Sequence, residues 1–539
     1  MLKIAILIFF TLPSLLLAVN VTLVESINTP HKQTIKALYR LNQNNYLWLS
    51  APDSLAKATN ALGNGYYNYK NKPLHRNEIT KLLYALDAGA LNSSQKDRLD
   101  ILITDAFLRL LKFIRVGDVN WALVKKKMRA LKAEHDIHAI WEMGIKGMPS
   151  ASTIYQYIHQ GRINSLLSNS IGLKKRYKSY IDILQYYRKI PEFRKVPFGR
   201  LIKYKQRDKR VYQIKRRLLL LGDFPRSGSI NRTFDRNLVY AVRRFRKRFN
   251  LRAGDYIDNK LLGYINLPKS YYIKKIIVNL DKTKLYPATL GNTYVEVNIP
   301  EFKMRFYQGG QESFSSDIVV GRLDRPTPVF SDMLEFIVVN PTWSIPENLA
   351  KKDLIPALKH NPNLLEEINI KAYQGRKEVK PNLEKLFSYE HSKRALPYHF
   401  VQQPSPLNAL GHVKFMFPNR YAVYLHDTPN KGLFSNKYRY NSSGCMRLND
   451  PDGFYNVLMP YMRSQRSLDG LLQSGQTVRI GLSQKIPVHI VYFTLEFENG
   501  APKFLYDAYM YDKIIEESTQ GSMKYHFEVP AVRLQEVKG

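Results

Sequence analysis

A change in the spacing of apolar residues near residue 270 constrains the fold of this chain more than any other feature. Before it, apolar residues recur at helical steps of three and four, as over 79–86 and 99–114. After it, they alternate with polar residues as in β-strands, as over 294–299 and 488–497. The sequence therefore predicts a multi-domain α+β protein that is helical first and mostly β afterwards.

The helical part divides into two predicted domains. Residues 30–200 are predicted to form a helical scaffold, in which Arg115-Val-Gly-Asp118 ends one long helix. Residues 205–268 are predicted to form three short helices around a small core. One of these helices carries an apolar stripe at steps of four, three and four and a basic opposite face. The stripe is Leu238, Val242, Phe245 and Phe249, and the basic face is Arg243, Arg244, Lys247 and Arg248.

The mostly β domain is predicted over 270–515. Its expected strands include 303–307, 316–320, 335–339 and 421–425, and Asn499-Gly500 is a hairpin turn signal. A helical, loop-rich insertion is expected at about 343–400, and residues 516–539 are expected to form a C-terminal tail.

The N-terminal residues 1–19 read as an export signal. An apolar run from Ile4 to Val19 follows Lys3, with Pro13 inside it and Ala18 as a weak cleavage position. A cleaved signal peptide is the first interpretation, and an uncleaved membrane anchor is the second. We therefore expect an exported protein, with a membrane-anchored protein as the alternative.

Charge and cysteine content narrow the functional classes. The net charge of +37 predicts attraction to a polyanion, whether nucleic acid, anionic membrane or wall polymer. The single Cys excludes an intramolecular disulfide and a multi-thiolate metal site. A lone Cys is ordinarily a small buried hydrophobe, so composition alone leaves an inert thiol as one alternative.

The segment around that Cys carries an arrangement suited to nucleophilic catalysis. His426 ends a predicted strand, and a loop at 430–441 leads back to Cys445, 19 residues later (445 − 426 = 19). A neighbouring His can take the thiol proton, and Gly444 lets backbone amides approach an oxyanion. The hydroxyl of Tyr424 is a further candidate donor, and Arg447 can pair with a carboxylate or brace the loop.

The string Ser442-Ser-Gly-Cys-Met-Arg447 with the upstream His426-Asp-Thr-Pro429 resembles the signature of the L,D-transpeptidase family, whose catalytic domain is of the YkuD type. Other strings resemble its large multi-domain periplasmic branch. These are Val319-Val-Gly-Arg322, Asn340-Pro-Thr-Trp-Ser-Ile-Pro346, Asn408-Ala-Leu-Gly-His-Val-Lys-Phe415 and Phe417-Pro-Asn419. The resemblance covers essentially all of 270–515.

The resemblance implies roles for particular residues. Cys445 matches the nucleophile, His426 the proton carrier, and the Ser443 carbonyl the group that orients the imidazole. Gly444 and Tyr424 are the implied oxyanion donors, and the segment containing Trp343 resembles a capping lid. Implied substrate contacts are Arg447, Trp343, Asn340 and His412.

The resemblance also implies an activity. Such enzymes attack a peptidoglycan stem tetrapeptide, release D-Ala and pass the acyl group from Cys to a diaminopimelate-type amine, which gives a 3→3 cross-link. No metal or organic cofactor is implied, carbapenems are expected to acylate the Cys, and we expect a monomer. The 205–268 unit resembles a peptidoglycan-binding domain, although Arg246 and Gly254-Asp255 depart from that family's usual Gln and Asp-Gly.

Several alternatives remain at this stage. An L,D-carboxypeptidase would use the same Cys and His but pass the acyl group to water. A non-catalytic wall-binding protein would need neither residue. A nucleic-acid binder would explain the charge, but it would need stacking aromatics on a basic face, and the export signal argues against it.

Overall fold

The computed structural model describes residues 18–519. The predicted export segment at 1–19 and the tail at 516–539 therefore lie almost entirely outside the described residues. Within 18–519, no helix is long and apolar enough to cross a membrane.

The first part of the protein is helical, as predicted. Its helices are α1 (Lys32–Leu41), α2 (Pro52–Gly63), α3 (Arg76–Asp87), α4 (Ser93–Arg115), α5 (Trp121–His135), α6 (Ala151–His159), α7 (Ile163–Ser170) and α8 (Lys174–Lys189). Helix α4 is the central element, because fifteen of its residues are buried. It begins at a capping box between Asn92 and Gln95 and ends at Arg115, just before Gly117, whose φ is +87°.

A three-helix unit follows, and its core is the predicted stripe. Its elements are β1 (Ile202–Lys203), α9 (Lys209–Leu220), α10 (Arg236–Arg248), β2 (Tyr256–Ile257) and α11 (Asn259–Ile265). Arg248 of the basic face is buried. Its guanidinium pairs with Asp223 at 2.5 Å and donates to the hydroxyl of Tyr187 at 2.6 Å, which compensates for its lost hydration.

The change of period lies later than predicted. Residues 269–283 form a further helix, α12 (Lys269–Thr283), and the first strand of the large sheet starts at Tyr294. Tyr272, Ile276 and Leu280 are buried at steps of four, which is the helical spacing hidden among the lysines. Lys275 and Lys282 are buried on Asp512 near the end of the described chain, and Asp281 of α12 pairs with Lys70 of the scaffold. Helix α12 thus joins the scaffold to the β domain.

The β domain is built on a closed sheet. Its strands are β3 (Tyr294–Asn298), β4 (Lys303–Gln308), β5 (Gln311–Gly321), β6 (Ser331–Val339), then after an insertion β11 (Val413–Met416), β12 (Leu425–His426), β13 (Tyr440–Ser442), β14 (Met446–Leu448) and β15 (Val478–Val491). The order β5-β14-β12-β11-β6-β15-β3-β4 returns to β5, and β13 is added alongside β5. The ring has no free edge at these eight strands, which protects their backbone groups.

The insertion between β6 and β11 has the predicted helices and loops, and it also contains four short strands that were not predicted. Its elements are β7 (Trp343–Ser344), α13 (Glu347–Leu349), a π-helical turn (Ala350–Leu354), α14 (Ile355–His360), α15 (Leu364–Glu367), β8 (Ile370–Gln374), β9 (Lys377–Val379), α16 (Leu383–Phe387) and β10 (His399–Gln402). The four strands pair in the order β7-β10-β8-β9, around a core separate from the main one. Gly375, with φ +61°, lies in the turn between β8 and β9. Strands this short are not visible in the sequence, because they contain too few residues to show an alternation of apolar and polar side chains.

The remaining elements close the chain against the barrel and the scaffold. They are α17 (Pro451–Leu458), α18 (Leu468–Gln473), β16 (Leu495–Glu498), β17 (Ala501–Phe504) and α19 (Tyr511–Glu517). The predicted turn at Asn499-Gly500 is confirmed, with φ of +50° and +76° between β16 and β17. Backbone bridges from Val119 to Thr519 and from Trp141 to Val329 tie the scaffold to the β domain.

Candidate active site

Strand register gathers the candidate catalytic residues on one face of the barrel. His426 pairs with Lys414 on β11 and with Arg447 on β14. Paired residues of neighbouring strands project to the same face, and so do residues two apart along a strand. The sheet therefore sets Lys414, His426 and Arg447 in one row, with Tyr424 and Cys445 in the next.

The approach to β12 differs from the predicted strand at 421–425. Ala422 has φ +53°, and β12 itself covers Leu425–His426. The side chain of Asn419 makes the turn, accepting from the backbone N–H of Tyr421 at 3.0 Å and donating to the carbonyl of Val423 at 2.8 Å. This turn brings the Ala422 carbonyl oxygen to 3.9 Å from the Cys445 Sγ.

The imidazole of His426 is buried and held in one tautomer. Its Nδ1 lies 2.5 Å from the backbone carbonyl oxygen of Asp427. Since a carbonyl can only accept, Nδ1 carries the proton and Nε2 presents a lone pair. The prediction that the Ser443 carbonyl orients this ring is wrong, because the carbonyl next to His426 in the chain already fills that place.

Electrostatics keep this imidazole neutral. Burial and the positive charge of Arg447 together lower the pKa of His426 to about 3, against the opposing effect of the Asp427 carbonyl. Lys414 adds to the lowering. His426 is therefore uncharged at neutral pH and can accept a proton at Nε2.

The thiol of Cys445 is partly exposed and protonated at neutral pH. Burial raises its pKa to about 11, opposed by the backbone N–H of Tyr424 and by the charges of Arg447 and Lys414. The thiol donates to the Ala422 carbonyl, and among residues 18–519 no hydrogen bond joins it to His426. Cys445 and His426 share Arg447 and Lys414 as electrostatic neighbours.

The loop before Cys445 is fixed by hydrogen bonds and by one glycine. Gly444 has φ +113°, which disfavours any side chain. Its carbonyl accepts from Thr327 Oγ1 at 2.8 Å, and its N–H donates to Ser442 Oγ at 3.2 Å. The Gly444 amide is therefore engaged. In the described part of the chain, the N–H groups of Ser443 and Cys445 have no acceptor.

His412 faces carboxylates rather than the thiol. Its Nδ1 lies 2.7 Å from Asp427 Oδ2, and its Nε2 lies 2.5 Å from Asp452 Oδ1. Burial lowers its pKa, but the two carboxylates outweigh burial and raise it overall. Gly411, with φ +61°, is required beside it because an added Cβ would lie 2.0 Å from Asp427 Oδ2. His412 thus braces the segment that holds His426.

The inserted unit reaches this face at two points. The indole N–H of Trp343 donates to the hydroxyl oxygen of Tyr424, which leaves the O–H of Tyr424 able to donate. Arg325 donates to both oxygens of Asp353 in the π-helical turn, at 2.6 and 3.1 Å, and to Ser443 Oγ at 3.1 Å. We call this set, Asp353, Arg325 and Ser443, the lid latch.

The other predicted substrate contacts differ in their surroundings. Asn340 donates from its amide to the carbonyls of Leu471 and Gln476, at 3.0 and 3.2 Å, so the structure places it in a turn. Arg447 is largely buried, and its Nε has no acceptor among residues 18–519. Arg447 pairs with no carboxylate in that range, so it remains able to receive one.

Four residues near the site were missed by sequence reasoning: Lys414, Asp427, Arg325 and Thr327. Lys414 had a readable signal, since it interrupts a short strand between the buried Val413 and Phe415. The other three act through contacts between segments distant in sequence. Among the described residues, no group of three or more His, Cys, Asp or Glu could hold a metal ion.

Comparison with known proteins agrees with this geometry. Residues 292–480 match the model of the L,D-transpeptidase catalytic domain, YkuD, and residues 33–179 match the model of the Scaffold domain. The chain therefore contains a YkuD-type L,D-transpeptidase catalytic domain preceded by a Scaffold domain.

One curated relative extends this similarity. A protein of Haemophilus influenzae named "Putative L,D-transpeptidase" is 33% identical over 248 residues, which cover 46% of this chain and 50% of the relative. The chain thus spans about half the length of that relative. A crystal structure of a fused Zn-dependent amidase/peptidase/peptidoglycan-binding protein from Clostridium acetobutylicum is 9% identical. It covers 54% of this chain and 99% of its own, with a TM-score of 0.15, which is too low to inform the fold.

Proposed function

We propose that this protein is a cysteine L,D-transpeptidase that forms 3→3 cross-links in peptidoglycan. The observation that carries the proposal is the neutral His426, whose Nδ1–H is fixed on the Asp427 carbonyl, so that Nε2 carries the lone pair. The match of this segment to the L,D-transpeptidase catalytic domain supplies the substrate class.

The first step is activation of the thiol. Cys445 turns from the Ala422 carbonyl toward Nε2 of His426, which takes the proton. The thiolate that forms is stabilised by the Tyr424 N–H and by the charges of Arg447 and Lys414, the three groups that already oppose the raised pKa of the thiol. The imidazolium is transient, because its surroundings favour the neutral ring.

Acylation and transfer then follow without a cofactor. The thiolate adds to the carbonyl of the third stem residue. The N–H groups of Ser443 and Cys445, which have no acceptor among the described residues, would receive the oxyanion. Collapse breaks the peptide bond, His426 protonates the departing D-Ala amine, and a thioester remains on Cys445. An acceptor amine gives its proton to His426 and attacks the thioester, and the thiol is restored with that proton.

The inserted unit supports transfer over hydrolysis. The unit contacts the active-site face through Trp343 and the lid latch. At the start of the unit, Lys414 donates to the carbonyl of Thr342 at 3.3 Å. A cover held at these points would exclude water from the thioester. We accordingly assign it the role of a lid.

The proposal extends to location and partners. The partner is the wall, through tetrapeptide donor stems and diaminopimelate-type acceptor stems. The net charge of +37 and the apolar run before Val19 support an exported, periplasmic protein attracted to an anionic polymer. We propose that it acts as a monomer.

The experiment is incubation with a purified disaccharide-tetrapeptide, followed by mass analysis of the products. The proposal predicts a cross-linked dimer with release of D-Ala, and loss of both with Cys445→Ala or His426→Ala. His360→Ala, which removes an exposed imidazole of the lid, is the matched control and should leave the dimer yield unchanged. Tripeptide without dimer would replace the transferase with an L,D-carboxypeptidase. No reaction would contradict both.

A further inference from the structure

We propose that a basic pocket between the three-helix unit and the catalytic domain binds a carboxylate-bearing stretch of the wall polymer, apart from the stem that reaches Cys445. The inference deepens the proposed function, since it names a second contact with the same polymer. The pocket has a volume of about 770 Å³ and is bordered by α10, β4 and the loop that connects His426 to Cys445. We call it the junction pocket.

The charge of the junction pocket selects an anionic ligand. Seven of its eighteen lining residues are Lys or Arg, and three are Asp or Glu. One of the three, Glu301, is already neutralised by a bidentate pair with Arg305 outside the pocket, at 2.6 and 2.8 Å. The surplus of cations inside a concave surface concentrates a positive potential there.

Two of these cations make no direct ion pair, although Lys303 lies near enough to Glu301 and Glu498 to lower the pKa of both carboxyls. Arg252 and Lys303 make no side-chain hydrogen bond or ion pair with any residue of 18–519, although most other cations of this region are paired. Arg252 lies after α10 and Lys303 begins β4, so they border the pocket from different domains. A ligand held by both would be held by both domains.

A third cation, Arg246, is a buried part of the lining of the junction pocket. Arg246 is 4% exposed and donates to the carbonyls of Arg252 and Tyr256, at 3.1 and 2.9 Å. Its Nε is buried and has no acceptor among the described residues. The positive charge of this guanidinium would attract a carboxylate in the pocket that Arg246 lines.

The aromatic lining argues against nucleic acid. Arg246 covers the ring of Tyr256 at 4.6 Å, and Arg439 covers the ring of Phe302 at 5.3 Å. Single-stranded nucleic acid is bound by bases stacking on free aromatic faces, and these faces are taken. Carboxylates need cations and N–H donors instead, and the stem peptides of the wall carry them. The volume is also ordinary for a small-molecule or short peptide site.

The junction pocket is separate from the catalytic face. Its lining includes Phe434 and Arg439 but neither Cys445, His426 nor any lid residue. Arg439 donates to the carbonyls of Phe302 and Ile318, at 2.9 and 3.0 Å, which fixes the far side of the His–Cys loop to the barrel. A polymer seated in the pocket would therefore be positioned beside the active-site loop without blocking it.

The test measures binding in the full-length protein with Cys445→Ala, so that no turnover is needed. The probes are soluble, uncross-linked glycan-peptide chains and, separately, vesicles of phosphatidylglycerol. The variant is Arg252→Glu with Lys303→Glu. The matched control, Lys125→Glu with Lys126→Glu, changes the net charge equally on exposed positions of α5. Thermal melting checks that each variant is folded.

We expect the pocket variant to weaken binding of the glycan-peptide chains by at least about tenfold, because each charge reversal replaces attraction by repulsion. The control variant should weaken binding by less than about twofold. The conservative Arg252→Lys with Lys303→Arg should restore binding. The inference would be overturned if the pocket variant and the control lost binding equally, or if neither lost binding. It would also be overturned if the pocket variant lost binding only to the vesicles. With Cys445 intact, the pocket substitutions should leave acylation by a carbapenem unchanged. Polymer binding by the protein with Cys445 intact, without turnover, would overturn the proposed function alone.

Discussion

The lid latch gives a prediction whose size can be worked from its contacts. Asp353→Asn keeps the shape of the side chain and removes the charge that Arg325 grips with two hydrogen bonds. The Arg325 side chain is 13% exposed and that of Asp353 is 48% exposed, so solvent screens the pair. The bidentate geometry and the third bond to Ser443 put the pair at the upper end for exposed ion pairs, about 1 kcal/mol.

A loss of about 1 kcal/mol would raise the population of the open lid about fivefold. Hydrogen exchange of the amides over 350–355 should accelerate by that factor, and the ratio of tripeptide to cross-linked dimer should rise. Glu347→Gln is the matched control, since Glu347 has a 49% exposed side chain but pairs with Lys351 inside the lid. The control should change neither readout.

A double-mutant cycle decides whether the two residues act together. If Arg325→Gln and Asp353→Asn each loosen the lid, the double variant should show no more than the larger single effect. Strictly additive effects, or unchanged exchange over 350–355 in Asp353→Asn, would refute the latch.

Three further predictions concern the active-site face. Because the pKa of His426 lies near 3 and that of Cys445 near 11, kcat/KM should be level from about pH 5 to 9; an acid limb near the ordinary His value of 6.5 would contradict the neutral imidazole. Gly444→Ala should lower the melting temperature by an amount equivalent to about 1–2 kcal/mol, since φ is +113°, whereas Gly63→Ala in helix α2 should not lower it. The raised pKa of His412 means that its pairs stabilise the fold fully below pH 6.5 and are lost as pH rises through the folded pKa. The melting difference between wild type and His412→Asn should therefore be larger at pH 6 than at pH 9, and an equal difference would contradict the ion pairs.

Local patterns predicted much of the fold. The stripe through Leu238 and Phe245 identified α10, and Asn499-Gly500 identified a hairpin, because spacing and turn chemistry act within a few residues. Helix α12 was missed because its lysines are buried on partners far along the chain, such as Asp512. Burial of a charge cannot be predicted without knowing its partner.

Part of the active site was likewise predictable from local sequence, and part depends on the tertiary fold. The spacing from His426 to Cys445 and the glycine before the thiol were visible in the sequence. The carbonyl that orients His426 was assigned to Ser443, because nothing in the sequence shows that the backbone after a strand can fold back on its own imidazole. The lid latch joins residues 28 and 118 apart in sequence, and such contacts depend on the tertiary fold.

The central claim is that Cys445 carries the acyl group. The direct measurement is intact-protein mass spectrometry of the enzyme quenched during reaction with a disaccharide-tetrapeptide, followed by peptide mapping. We predict an adduct equal to the disaccharide-tripeptide on the peptide containing Cys445, with one D-Ala released per adduct and no adduct in Cys445→Ala. An adduct that persists in Cys445→Ala, or product formed by the wild type with no adduct at any time, would contradict it.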